Sequence, residues 1–262
     1  MSGSKAERSD SEIPAGSAVL RAVRILEVIA ACDDAPQLAE ICRAVDLPKA
    51  TVYRILATLE HAGYVAKEPG TKQYGCGHRL HQLSGRVLLS SPMRASRHAI
   101  LEELVEQVGE TCNLAVPSLN SVLYLDRVEA AWPLRVSLGA GSNVPLYASA
   151  CGKIFLSSMS KRARERFVRS TPLVGYTSRT FIEPGRLLAE LESIRAAGFA
   201  VDDEEYLQGI CCVAVPVRNE DGVVVAAVAV HGPVSRMSLT QAREFLPQLR
   251  DAADAVGRTL EW

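Results

Sequence analysis

A proline at position 48 is followed by apolar residues at Val52, Ile55, Leu56 and Leu59, and then by a glycine at position 63. Proline suits the first turn of a helix and glycine its end, and the i, i+3, i+4, i+7 spacing puts the four apolar side chains on one stripe. The pattern predicts a helix beginning at Pro48 and running to about His61 that buries only one side. Its opposite face carries Ala50, Arg54 and Ala57, flanked by Lys49, Thr51, Tyr53 and Thr58. Small side chains let such a face sit deep in a DNA major groove, where Arg, Thr and Tyr can reach base edges or phosphates. A merely solvated polar face has the same composition, so the neighbouring sequence has to decide.

That neighbouring sequence is regular. Leu20, Val23, Leu26 and Ile29 recur at helical spacing behind Ser17, a suitable N-cap, and predict a first helix from Ser17 to Ala31. Pro36 is expected to open a second short helix with Leu38, Ile41 and Cys42 on one side, and Val45, Asp46 and Leu47 then make a tight connection to the third. Tyr64 to Lys67 and Lys72 to Gly75 read as short strands around Pro69-Gly70, a strong turn dipeptide. Three helices and a hairpin make a winged helix-turn-helix over residues 17–77, with Lys67 and Lys72 where a wing meets the sugar-phosphate backbone. Arg21 on the first helix is a further candidate phosphate contact. The formal net charge is -1, but Leu47 to Arg79 holds five basic residues against two acidic ones, the local excess that duplex DNA requires.

Leu80, Leu83 and Val87 predict a linker helix over residues 78–91, ended by Pro92. Residues 92–262 then alternate between strand-like and helix-like segments, an α+β domain in which helices flank a sheet. Strands are expected at Asn113 to Pro117, Val122 to Val128, Leu134 to Leu138, Phe199 to Asp202, Ile210 to Arg218 and Val223 to His231. Helices are expected at Arg94 to Val108, Ala148 to Met159, Lys161 to Arg169, Gly185 to Ala197 and Leu239 to Leu260. Apolar residues make up 48% and charged residues 23%, so neither disorder nor a fibrous fold is indicated for the bulk of the chain. The longest apolar run, Val223 to Val230, is far below the roughly 20 residues of a bilayer span, and no membrane partner is expected. Residues 1–16, rich in Ser, Glu, Lys and Asp, read as a disordered tail without a secretory signal. Seven cysteines with no C-x-x-C pair suit free thiols in a cytoplasmic protein.

Five segments, in order, resemble the IclR family of bacterial transcription regulators. They are LPKATVYRILATLEHAGYV (Leu47 to Val65), NLAVPSLNSVLYLDRVEA (Asn113 to Ala130), PLYASACGKIFLSSM (Pro145 to Met159), GFAVDDEEYLQGICCVAVPV (Gly198 to Val217) and HGPVSRM (His231 to Met237). The resemblance spans about Ala18 to Leu260. It implies a GAF-like C-terminal α/β domain that binds a small organic acid, homodimers and dimers of dimers, and a symmetric operator. It implies no cofactor, with repression favoured over activation. By position it implies an effector site built from Ala148, Ser149, Ala150 and Gly152 at a helix start, with Asp202, Ile210, Cys212, Ala229 and His231 on facing strands. Helix N-termini attract anions, in agreement with a carboxylate there. Family members commonly carry Arg where Cys211 stands and Ser near Ala229 and His231, so the effector of any one relative does not transfer directly.

Other chemistries fit the residues less well. Cys151 beside Lys153 suggests an activated nucleophile for a small-molecule enzyme, but no His with a partner carboxylate is identifiable, and Lys153 is expected in solvent. The run Asp202 to Glu205 is expected as an exposed acidic loop. Cys76, His78 and His81 lack a fourth ligand for zinc. Cys211 and Cys212, the candidate thiol redox sensor, are strand neighbours that point to opposite faces and do not pair.

Overall fold

The computed structural model describes residues 17–32, 34–68, 70–90, 94–118, 120–132 and 139–259. The chain divides into two compact units, the first ending at Leu80 and the second beginning at His81. The tail expected over residues 1–16, the strand expected from Leu134 to Leu138, and the prolines at positions 69 and 92 lie outside the described residues.

The first unit contains helices α1 (Ala18–Ala31), α2 (Leu38–Val45) and α3 (Lys49–His61), followed by strands β1 (Val65–Lys67) and β2 (Tyr74–Cys76). Ile25, Ile29, Ile41, Val45, Val52, Leu56, Val65 and Tyr74 form its core. On α3, Val52 and Leu56 are fully buried while Ile55 and Leu59 pack at the margin, as the stripe requires. The antiparallel hairpin pairs Val65 with Cys76 and Lys67 with Tyr74. An isolated bridge between Gln37 and Gln73, with the Tyr74 N–H donating to the Pro36 carbonyl at 2.9 Å, ties the hairpin to the start of α2.

Both prolines act earlier than expected, Pro36 two residues and Pro48 one residue before the first residue of its helix. Pro36 does not open α2: Gln37 is its N-cap, and the Glu40 carboxylate accepts the Gln37 N–H at 2.7 Å. Pro48 is the N-cap of α3 with an extended ψ of 137°, and its carbonyl accepts from Thr51 and Val52 at 2.9 and 3.1 Å. Asp46, left-handed at φ 50° and ψ 49°, makes the connection tight. The unit closes where the backbone at Gly77 meets that at Gly63. The Gly77 N–H donates to the Tyr64 carbonyl at 2.8 Å, and a Cβ on Gly77 would stand 2.3 Å from the Gly63 oxygen. Helix α4 (His78–Ser90), which begins where the linker helix was expected, follows, and the division at Leu80 falls inside it.

The second unit is built on one antiparallel sheet. Its strands are β3 (Thr111–Ser118), β4 (Ser121–Val128), β5 (Asn143–Pro145), β6 (Ala200–Asp203), β7 (Ile210–Arg218) and β8 (Val224–Pro233). They lie in the order β5-β4-β3-β8-β7-β6. The helices are α5 (Arg94–Val108), α6 (Ala150–Ser158), α7 (Lys161–Ser170), α8 (Pro184–Ala197), α9 (Leu239–Glu244) and α10 (Leu246–Thr259). One face of the sheet, carrying Cys211, Val213, Val215, Val228 and Val230, packs on α5 and α10 through Leu101, Leu104, Leu249 and Val256. The other, carrying Ala115, Cys212, Ala214, Ala227 and Ala229, packs on α6 and α8 through Ile154, Phe155, Leu187 and Leu191.

Two features differ from the sequence pattern. β5, three residues long and ending in proline, carries no periodic signal. The expected C-terminal helix is broken at Phe245, because Pro247 enters the second helix near its start and has no N–H to continue the first.

Leu56→Ala removes a fully buried side chain from α3 and is expected to cost about 2–5 kcal/mol of unfolding free energy. Urea denaturation followed by circular dichroism checks this, and a cost below about 1 kcal/mol would mean that the α3 stripe is not the core of the unit.

Candidate DNA-reading face and effector site

With its apolar stripe turned inward, α3 exposes Lys49, Ala50, Tyr53, Arg54, Ala57 and Thr58, and leaves Thr51 half-buried. Tyr53 is 56% exposed, far more than an aromatic ring used for packing. The Thr58 hydroxyl donates to the Arg54 carbonyl at 3.0 Å, so its methyl and oxygen are held along the helix. On the wing, Lys67 is exposed with its ammonium 5.6 Å from the centre of the Tyr74 ring. Lys72 is exposed at a left-handed φ of 57° in the turn, pointing a cation off the hairpin tip. Arg21 is half-buried on α1.

In the second unit the facing strands bring the remaining candidates together. Asp202 on β6, Cys212 on β7 and His231 on β8 are consecutive partners across the sheet, all on the small-residue side. Ala229 stands two residues from His231 on the same side, and Ile210 two residues from Cys212 at the half-buried start of β7. Opposite them, the start of α6 holds Ala148, Ser149 and Ala150, each at most 5% exposed. The Ser149 hydroxyl is committed locally: it accepts the Gly152 N–H at 3.3 Å and donates to the Pro145 carbonyl at 2.7 Å. The Lys153 backbone N–H donates to the Ser149 carbonyl at 2.9 Å, and the N–H groups of Ala150 and Cys151 lie in the first turn of the helix. A Cβ on Gly152 would stand 2.1 Å from the Leu146 oxygen, so this glycine serves close packing.

Two sequence expectations are corrected here. Lys153 is not in solvent but fully buried, donating to Glu205 at 2.5 Å and lying 3.5 Å from Glu190. The Asp202 to Glu205 run is not an exposed loop: Asp202 and Glu205 are 7% and 2% exposed, and Asp202 accepts the Glu205 N–H at 2.7 Å. His231, which the resemblance assigns to the facing strands, is enclosed. It is 6% exposed, with Nδ1 2.7 Å from Asn113 Nδ2 and Nε2 3.1 Å from Arg127 Nη1. Burial and the neighbouring Arg127 push the imidazole down to about 3, so it stays neutral. Burial pushes the Cys151 thiol up to about 12, which leaves it without the thiolate character a nucleophile needs.

The hollow between α5 and α10, about 270 Å³, is lined by Glu103 and Asp251 with no basic side chain and suits an acid poorly. Among the described residues, no group of three His, Cys, Asp or Glu side chains stands where it could hold a metal ion. No helix there is long and apolar enough to cross a membrane.

Family models match both parts of the chain. Residues 18–69 match the IclR helix-turn-helix domain and residues 85–258 match the bacterial transcriptional regulator IclR C-terminal domain. The chain belongs to the IclR family. Among its relatives is the probable transcriptional regulator SauR of Cupriavidus necator, 43% identical over 243 residues, 93% of this chain and 96% of that one. The transcriptional repressor IclR of Escherichia coli is 30% identical over 238 residues, 90% of this chain and 87% of its own. The crystal structure of the Thermotoga maritima IclR superposes with a TM-score of 0.62 at 28% identity, covering 93% of this chain and 98% of that one.

This IclR-family chain is therefore a transcription regulator rather than an enzyme, with a DNA-binding helix-turn-helix and a C-terminal effector-binding domain. The sequence reading missed Asn113, Tyr124 and Arg127, which share the small-residue side of the sheet with His231. Alternation along β4 was the signal available, and an extra residue in that strand breaks it.

Burial, and next the charge of Glu205, push the Asp202 carboxyl up to about 7 from 3.8. The folded state thus holds this proton more tightly than the unfolded chain, so stability from this group is full below about pH 4 and is lost as pH rises through about 7. Glu205, also raised by burial, acts in the same direction. The melting temperature should fall between about pH 4 and 7, and Asp202→Asn should flatten that fall. An unchanged pH profile in the variant would mean that Asp202 titrates as it does in the unfolded chain.

Proposed function

We propose that this regulator is an effector-responsive repressor that binds operator DNA through α3 and the β1–β2 wing. In this reading Lys49, Ala50, Thr51, Tyr53, Arg54 and Thr58 meet the major groove, and Lys67, Lys72 and Arg21 meet phosphates. The observation that carries it is the exposed side of α3, where an exposed tyrosine and arginine stand between two exposed alanines. The active species is a homodimer or a dimer of dimers on a symmetric site, acting in the cytoplasm. Repression is favoured because the Escherichia coli relative is a named repressor.

The effector is a small organic acid held between the start of α6 and the small-residue side of the sheet. The N–H groups of Ala150 and Cys151 supply the donors of the helix start, and Asp202, Cys212, Ala229 and His231 supply the facing wall, with Ile210 at its edge and Ala148, Ser149 and Gly152 shaping the helix entry. Acid binding shifts operator affinity by favouring one of two states of the regulator.

The test is operator binding by fluorescence anisotropy on a sequence selected by the wild-type protein. Arg54→Ala should weaken specific binding by about 1–3 kcal/mol with an unchanged melting temperature, since Arg54 is exposed. Lys67→Ala and Lys72→Ala should each weaken binding to all sequences alike and lower the salt slope by about 1. Unaltered operator affinity in Arg54→Ala removes α3 from the reading face.

A further inference from the structure

An acidic side chain in a wall that faces an organic acid sets two like charges together, which is costly in a buried site. Asp202 is 7% exposed on β6, and among the described residues it forms no ion pair. Its Oδ1 accepts the Glu205 N–H at 2.7 Å. The cation beside it, Lys153 of α6, is already held. Its ammonium lies 2.5 Å from Glu205 Oε1, 3.5 Å from Glu190 of α8 and 5.0 Å from the centre of the Phe181 ring. One buried ammonium thus stands among three carboxyl groups. The second oxygen of Glu205 is buried with no hydrogen-bond partner among the described residues.

The other neighbours of Asp202 do not balance its charge. Burial pushes the thiols of Cys151 on α6 and Cys212 on β7 and the phenol of Tyr124 on β4 upward, so all three stay neutral. His231 on β8 is neutral as well. Arg127 reaches this side of the sheet because Leu125 is an extra residue in β4, where Ala115 pairs with Tyr124 but Leu114 with Asp126. Its guanidinium is committed to Asn113 and Glu129, each at 3.2 Å. Asp203, next along β6, takes the opposite side and pairs with Arg179. Two buried carboxyls beside one engaged lysine do not both ionise freely, and the contact with Lys153 decides between them. Burial raises Glu205, but Lys153 opposes that rise. Asp202, raised by burial and next by the charge of Glu205, is left with the proton.

Resting on the effector reading above, we propose that effector binding is coupled to a proton: Asp202 meets the acid as a neutral carboxyl that donates a hydrogen bond, and Lys153 and Glu205 are positioning residues that keep the proton on it. Below neutral pH that proton is already in place. Above it, each acid anion that binds brings one proton from solvent onto the Asp202 carboxylate, forming one O–H bond and breaking none in the protein or the acid. The response to the acid therefore strengthens as pH falls.

The experiment uses the full chain. Thermal shift with pyruvate, lactate, benzoate and 3-hydroxybenzoate at millimolar concentration selects an acid that binds, and all four stay ionised from about pH 6 to about pH 8. Isothermal titration calorimetry in buffers of different ionisation enthalpy then measures affinity and proton uptake together. In the wild type the dissociation constant should rise about tenfold from pH 6 to pH 8, with about one proton taken up at the upper end. Asp202→Asn, which has the shape of the neutral carboxyl, should bind with level affinity over this range and take up no proton. Glu205→Gln frees Lys153 to pair with Asp202, so the rise should begin at lower pH; if this variant fails to fold, Asp202→Asn decides alone. Level affinity in the wild type, proton uptake that persists in Asp202→Asn, or loss of binding by that variant in its folded state each overturns the proposal and leaves the effector site standing. Absence of any shift in the wild type with all four acids overturns the small-acid reading on which the proposal rests.

Discussion

Side chains alternate along a strand, and in the second unit each central strand has to satisfy two different helical layers at once. β7 and β8 do so by placing valines under α5 and α10 and alanines, a cysteine and a histidine under α6 and α8. Large β-branched residues fill the first interface. Small residues on the second leave room for α6, whose Gly152 gives way to the backbone of Leu146 just before that helix. The helix start is thereby brought over the sheet, and a set of buried polar side chains is enclosed beside it. Every proposed feature of the effector site depends on this asymmetry between the faces.

Burying polar groups is costly unless each finds a partner, and the site meets that demand unevenly. Lys153 is matched by Glu205 and Glu190, and Arg127 by Asn113 and Glu129. Asp202 is matched by a backbone donor, yet burial still raises its carboxyl to about 7. The second carboxylate oxygen of Glu205 has no hydrogen-bond partner among the described residues. The matched groups hold the architecture, and the incompletely matched ones are where a ligand has something to offer. In the first unit, by contrast, the polar face of α3 is simply left in solvent, as suits a surface whose partner is hydrated and charged.

Much of the first unit was legible because its signals are local. Pro48, Gly63 and the spacing of Val52, Ile55, Leu56 and Leu59 specify a one-sided helix within sixteen residues, Pro48 to Gly63, and each depends only on its chain neighbours. The same holds for α4, α5 and β7, whose bounds follow from short-range periodicity. The errors at Pro36 and Pro48 are of two residues and one, since a proline is tolerated before a helix and at its cap as well as in its first turn. The break at Phe245 lay within reach of the sequence, because Pro247 was visible.

The buried network was not legible, because its partners are far apart in the chain and its geometry turns on a single inserted residue. Lys153 meets Glu205 fifty-two positions away, and Arg127 meets His231 one hundred and four positions away. From the chain alone a lysine near a helix start and an acidic run both read as solvated, the ordinary fate of such groups. Residue order set the helical stripe, the wing and the two-faced strands through steric and hydrophobic rules that act over a few positions. Which polar side chains ended up enclosed together was decided by the pairing of β3, β4 and β8 and by the bulge at Leu125, since only long-range packing removes a charge from water and supplies its counterpart.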